Sequence, residues 1–239
     1  MKDSRIIKVF SVSSLILTIL FVAVFTYLAI NYDYPDNLDY PAQTTLPSID
    51  QAGYDWRAIW FFYALLPVGY ILVGMTAYMA LKPTNKSLIR MAVLFTVLAS
   101  IFGTLGLSRW PTIMPPLAKA YQTADASQRA VLEAIFNGVN LYLGNYLGEF
   151  MSEFMFGAFI LLVGITIFAA KGNGYPRWFG VISIISGVLI VTGSTRMFFE
   201  LTKAANEYTT MVLPVYLILF SGLSYRAASM LRTISKTAG

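Results

Sequence analysis

RMAVLFTVLASIFGTLGLSR, residues 90–109, decides the fold, because eighteen uncharged residues stand here between two arginines. A helix rises about 1.5 Å per residue. The nineteen steps from Arg90 to Arg109 therefore reach about 28 Å, against roughly 30 Å for the hydrocarbon core of a bilayer. RWFGVISIISGVLIVTGSTR, residues 177–196, repeats the same interval between Arg177 and Arg196. A spanning helix needs about 20 mainly apolar residues, and both stretches supply them.

Working outward from these two stretches, the spacing predicts six spans, at about residues 9–30, 58–81, 89–107, 143–170, 178–199 and 209–225. The composition agrees. Of the 239 residues, 57% are hydrophobic and 12% charged, where soluble domains carry roughly 25% charged residues. The spans and their loops use up residues 1–239 as one all-α, polytopic membrane domain. Eleven of the seventeen Lys and Arg residues fall on one side of the spans: Lys2, Arg5, Lys8, Lys82, Lys86, Arg90, Lys171, Arg177, Arg226, Arg232 and Lys236. Cations set orientation, so both termini are expected in the cytoplasm and the chain in the cytoplasmic membrane. The first apolar stretch is too long for a signal-peptide core of roughly 7–15 residues, and no small-x-small cleavage site follows it, so a retained helix is expected. The net charge of +5 sits in short clusters at helix ends. That is a topological signal, and no nucleic-acid partner is expected.

The stretch 31–56 holds Asp33, Asp36, Asp39, Asp50 and Asp55, three prolines and no cation before Arg57. It reads as an irregular outer loop held at the interface by aromatics. Pro67 predicts a kink in the second span, and Pro214 another in the sixth. Residues 111–140 read as a partly helical outer cap. Pro115 and Pro116 suit a first helical turn, and Asp125 suits an N-cap. Val131, Leu132, Ile135, Phe136 and Val139 then form an amphipathic stripe, expected to lie over the bundle as a lid.

Counting depth from the basic anchors brings ionisable groups from four helices to one height near the outer rim. They are Arg57, Arg109, Glu149, Glu153, Arg196 and Glu200. Glu149 and Glu153 are four residues apart and share a helix face, which Asn145 extends by a turn. Two carboxylates on one face repel unless cations answer them, and Arg109 and Arg196 are the natural candidates. An ionisable group at membrane depth is a functional hypothesis by default. At the rim it competes with a purely structural Glu–Arg network. Gly144 and Gly148 form a small-xxx-small pair that allows close helix contact.

The chain has no His and no Cys. This removes the commonest general base and transition-metal ligand and all thiolate chemistry. No cofactor and no metal site is expected. Every Asp lies outside the spans and no span holds a buried Lys, so aspartyl proteolysis and a retinal Schiff base are closed as well. One glutamate pair does not make an enzyme, and a non-enzymatic protein is expected.

Several features together resemble a known family. They are Arg109 closing the third span, Pro116-Leu117-Ala118 with Tyr121, and Gly148-Glu149 at the head of the fourth. Tyr175-Pro176-Arg177-Trp178-Phe179-Gly180 before Ser186-Gly187 completes the set. The pattern is similar to the six-helix bacterial membrane proteins known only as a domain of unknown function, the domain-of-unknown-function 4386 family. The resemblance implies a bacterial cytoplasmic membrane and the six-helix layout, and it carries over no catalytic residue. Three functional readings follow. The leading one is binding of a small or amphiphilic ligand, or of a partner protein, at the outer face through Arg109, Glu149, Glu153 and Arg196. The second is a proton- or ion-coupled transporter using Glu149 or Glu153. The third is an accessory subunit or homodimer whose rim is structural.

Overall fold

Six stretches of helix are long and apolar enough to cross a membrane: Ser4–Tyr32, Ala42–Leu81, Lys86–Thr123, Ala126–Ala169, Arg177–Met197 and Met211–Met230. The computed structural model describes residues 2–169 and 174–237, and among these it is all-α, without a strand. The fourth span's expected end at Ala170, with Lys171 behind it, lies outside the described residues.

The helices are α1 (Lys2–Tyr32), α2 (Ala42–Leu65), α3 (Tyr70–Leu81), α4 (Lys86–Thr112), α5 (Met114–Thr123), α6 (Ala126–Val139), α7 (Ser152–Ala169), α8 (Arg177–Ser194) and α9 (Lys203–Thr237). Pro67 has no N–H to give to the ladder, and the second span tightens there into a 3-10 turn, Leu66–Gly69, between α2 and α3. The spans form a ring. α3 packs on α4, α4 on α7, α7 on α8, α8 on α9, α9 on α1, and α1 back on α3. The α7–α8 seam is built from glycines. A Cβ on Gly187 would lie 2.6 Å from Leu161 N, and one on Gly164 2.7 Å from Ile184 N, so the two backbones are nearly in contact.

Hydroxyls inside the spans turn back on their own helices, which lets polar side chains live in hydrocarbon. Ser11 and Thr18 donate to Ile7 O and Ser14 O, at 2.8 and 2.9 Å. Others tie helices together: Ser4 Oγ donates to Ala228 O at 2.6 Å, and Tyr216 Oη donates to Ser183 Oγ at 3.2 Å. The bundle has two apolar clusters. One fills the end that carries the basic residues, around Ile7, Leu81, Ile89, Phe179 and Phe220. The other fills the opposite end, around Trp56, Trp60, Trp110, Tyr121 and Phe136.

Two local expectations are corrected. Residues 31–56 are not an irregular loop throughout, because α2 begins at Ala42 and breaks only at Gly53, whose φ of +67° suits glycine. Ala42, Thr45, Leu46 and Ile49 are buried along one side of it, at the helical spacing that selects helix over loop. The amphipathic stretch is not a separate lid either. α6 does start at Asp125, whose carboxylate accepts from Gln128 N at 2.8 Å in a capping box. It then runs without interruption through a π-helical stretch, Asn140–Met151, into α7. The resulting helix has 44 residues, about twice the length needed to cross roughly 30 Å of hydrocarbon. Its first turns pack over α5 and α2. Phe136 is buried there, while Val131 and Ile135 stay exposed.

Candidate functional site

The π-helical stretch sets the geometry. A π-helix closes i→i+5 bonds and is rare, and it often marks a functional position. Here it carries Leu143 through Glu149 past α4 at very close range. A Cβ on Gly106 would collide with the backbone of Gly148, so only glycine fits at that crossing. Gly144, one turn earlier, leaves room for a guanidinium, since a Cβ there would lie 2.6 Å from Arg109 Nη2. The small pair expected from the sequence therefore does two jobs. Gly148 seats one helix on another, and Gly144 seats an arginine.

Glu149 and Glu153 converge on Arg196, which sits in a 3-10 turn, Thr195–Met197, at the end of α8. Arg196 grips Glu153 as a two-pronged fork, Nη1 to Oε2 at 2.6 Å and Nη2 to Oε1 at 3.1 Å, and reaches Glu149 Oε2 at 2.8 Å. Such bidentate charge-assisted bonds are strong and directional. The three side chains keep 17%, 30% and 34% exposure for Arg196, Glu149 and Glu153.

Arg109 is placed differently. It is 3% exposed, and it donates from Nε to Asn140 Oδ1 at 2.9 Å and from Nη1 to Gly106 O at 2.6 Å. Its guanidinium carbon lies 5.0 Å from the Trp110 ring centre. Among the described residues it makes no ion pair with a carboxylate, and its Nη2 has no hydrogen-bond partner. The expectation that both arginines answer the glutamates is corrected to Arg196 alone. Within the π-helical stretch Asn140 faces Arg109 of α4 and Glu149 faces Arg196 at the end of α8.

Between these groups lies a cavity of about 180 Å³ inside the ring of helices. Arg109, Gly144, Glu149 and Glu153 form one wall, and Phe21, Phe25, Tyr63, Tyr70 and Leu213 form much of the rest. That is room for on the order of ten water molecules. Tyr34, from the 33–35 turn, also lines the cavity. Its ring stands edge-on to Trp60 and Tyr63, at 5.5 Å each, and its hydroxyl meets Tyr63 Oη at 3.2 Å. Burial pushes the Tyr34 hydroxyl up to about 12, the bond from Tyr63 offsetting part of that, so it stays a neutral donor and acceptor. Tyr70 Oη has no hydrogen-bond partner among the described residues.

The remaining expected residues lie elsewhere. Arg57 donates to Pro111 O at 2.9 Å and lines a separate surface hollow with Asp50 and Lys119. Glu200 is exposed at the start of a 3-10 turn, Glu200–Thr202. Asn145 is half-buried and not part of the cavity wall. Sequence reasoning missed Asn140, Tyr34, Tyr63 and Tyr70. Asn140 was the most legible of them, since it precedes Gly144 by four residues. Among the described residues no group of three or more acidic side chains could hold a metal ion.

The model of a protein family described as Domain of unknown function (DUF4386) matches residues 12–231. No curated protein and no solved structure matches the chain.

Proposed function

The chain belongs to the DUF4386 family, and from that premise we propose that it is a non-enzymatic protein of the bacterial cytoplasmic membrane, both termini cytoplasmic, that holds a small ligand in the cavity beside Arg109. One observation carries this reading: Arg109, a residue only 3% exposed, lines the cavity with its Nη2 unused by any hydrogen bond among the described residues. A structural arginine in a low-dielectric interior would be closed on a carboxylate, as Arg196 is, because an unmade bond to a buried charged group is costly. A mostly apolar, aromatic cavity with a few convergent polar groups is the usual form of a small-molecule site.

Arg196 with Glu149 and Glu153 supports a narrower role, that of a brace holding α8 to the π-helical wall. The same brace weakens the proton-transport reading, since both carboxylates are already held by a cation. The test is native mass spectrometry of the detergent-purified protein. A co-purifying small molecule is expected on the wild type and absent from Leu107→Trp, whose ring fills the cavity. A bare wild-type mass, identical in ligand content to the variant, would leave the rim purely structural.

A further inference from the structure

We infer that the occupant is a small zwitterion of the free amino-acid class, with its carboxylate on Arg109, its ammonium on Glu149 and an apolar side chain against the rest of the wall. This inference rests on the cavity reading above and narrows it to one chemical class.

The two charges follow from which partners are already spent. Arg109, Glu149 and Glu153 are the charged side chains that line the cavity. Arg196, which is not part of the lining, serves both glutamates. It takes both oxygens of Glu153 but only Oε2 of Glu149. Two carboxylates therefore share one cation, and the cluster keeps one negative charge, with Glu149 Oε1 unbonded among the described residues. Arg109 has the opposite surplus. Its Nε and Nη1 go to an amide oxygen and a backbone carbonyl, neither of which is ionised, and its Nη2 is unspent. One wall thus holds a positive and a negative charge that each lack a counter-ion, and among the described residues the two do not pair with each other.

Unpaired charge in a low-dielectric interior is costly. A carboxylic acid alone would answer Arg109 and add to the surplus at Glu149. An amine alone would do the reverse. A molecule with both groups answers both charges at once. Its carboxylate accepts from Arg109 Nη2 in a charge-assisted bond, and its ammonium donates to Glu149 Oε1.

The body follows from size and lining. About 180 Å³ is room for on the order of ten non-hydrogen atoms, which admits one amino acid of modest size and excludes a long-chain lipid. Phe21, Phe25, Leu107, Ile190 and Leu213 make up much of the remaining wall. None of them offers a charge, so a third ionised group on the ligand would go unpaired. The side chain is therefore apolar.

The test is isothermal titration calorimetry of the detergent-purified, exhaustively dialysed protein with L-leucine, isocaproate, isoamylamine and L-glutamate. Isocaproate is leucine without the ammonium, isoamylamine is leucine without the carboxylate, and glutamate carries a charged side chain. The wild type should bind leucine at least about tenfold more tightly than each of the others. Arg109→Gln should erase the preference over isoamylamine, and Glu149→Gln the preference over isocaproate. Isocaproate binding as tightly as leucine to the wild type would overturn the ammonium contact. Equal binding of isoamylamine would overturn the carboxylate contact, and equal binding of glutamate the apolar body. If leucine does not bind, the amino-acid assignment falls. The native mass spectrum then decides the cavity reading separately: a persisting co-purified mass keeps it, and a bare protein removes it too.

Discussion

At the scale of single residues, the two arginines that look equivalent in sequence have opposite environments. Arg196 is saturated by two carboxylates, and Arg109 is not. The variant Arg196→Met leaves Glu149 and Glu153 facing each other. Breaking a fully buried pair costs about 3–5 kcal/mol, but these side chains are partly exposed, so a loss of about 1–3 kcal/mol is expected. Adding Glu149→Gln and Glu153→Gln to Arg196→Met should restore much of that loss in chemical denaturation, because no unpaired charge then remains. Tyr34 gives a pH signature. Its folded-state value of about 12 stands above the roughly 10 of an exposed tyrosine. Its contribution is therefore complete below about pH 10 and fades as pH rises toward 12. Tyr34→Phe should flatten the fall in melting temperature across that alkaline window, and an unchanged slope would show that Tyr34 is not the group responsible.

Elements were legible in the sequence where period and punctuation agreed. The apolar runs from Arg90 to Arg109 and from Arg177 to Arg196, the Pro67 turn and the Asp125 cap could all be read directly, because each is a local property of length, a missing N–H or a side-chain acceptor. The π-helical stretch, Asn140–Met151, could not. Its residues read as ordinary helix, and the close approach of Gly144 to Arg109 and of Gly148 to Gly106 is a tertiary contact with no local signal. For the same reason the site was legible in its charges but not in their pairing, and tyrosines arriving from α2, α3 and the 33–35 turn left no sequence signal. The glycine contacts yield a prediction at this scale. Gly106→Ala places a methyl against the Gly148 backbone, where no flexible side chain can yield, and should cost about 1–3 kcal/mol or more by overpacking. Gly138→Ala on α6 meets nothing within 4 Å and should be neutral or slightly stabilising. Thermal melts of the two variants compare them directly.

At the scale of the whole molecule, the ring of six spans has a basic end and an aromatic end, and the cavity lies inside the ring. The excess of Lys and Arg at the other end supports its placement in the cytoplasm. The chain contains no cysteine, so single cysteines report cleanly. Gln128→Cys should react with an impermeant maleimide on intact cells, and Lys86→Cys only after permeabilisation; the reverse pattern would invert the topology. The central claim is that the space beside Arg109 is a binding site and not a packing defect. An experimental structure in lipid nanodiscs tests it most directly. Non-protein density within hydrogen-bonding distance of Arg109 Nη2 is the result this account predicts. A collapsed cavity with Arg109 closed on Glu149 would contradict it.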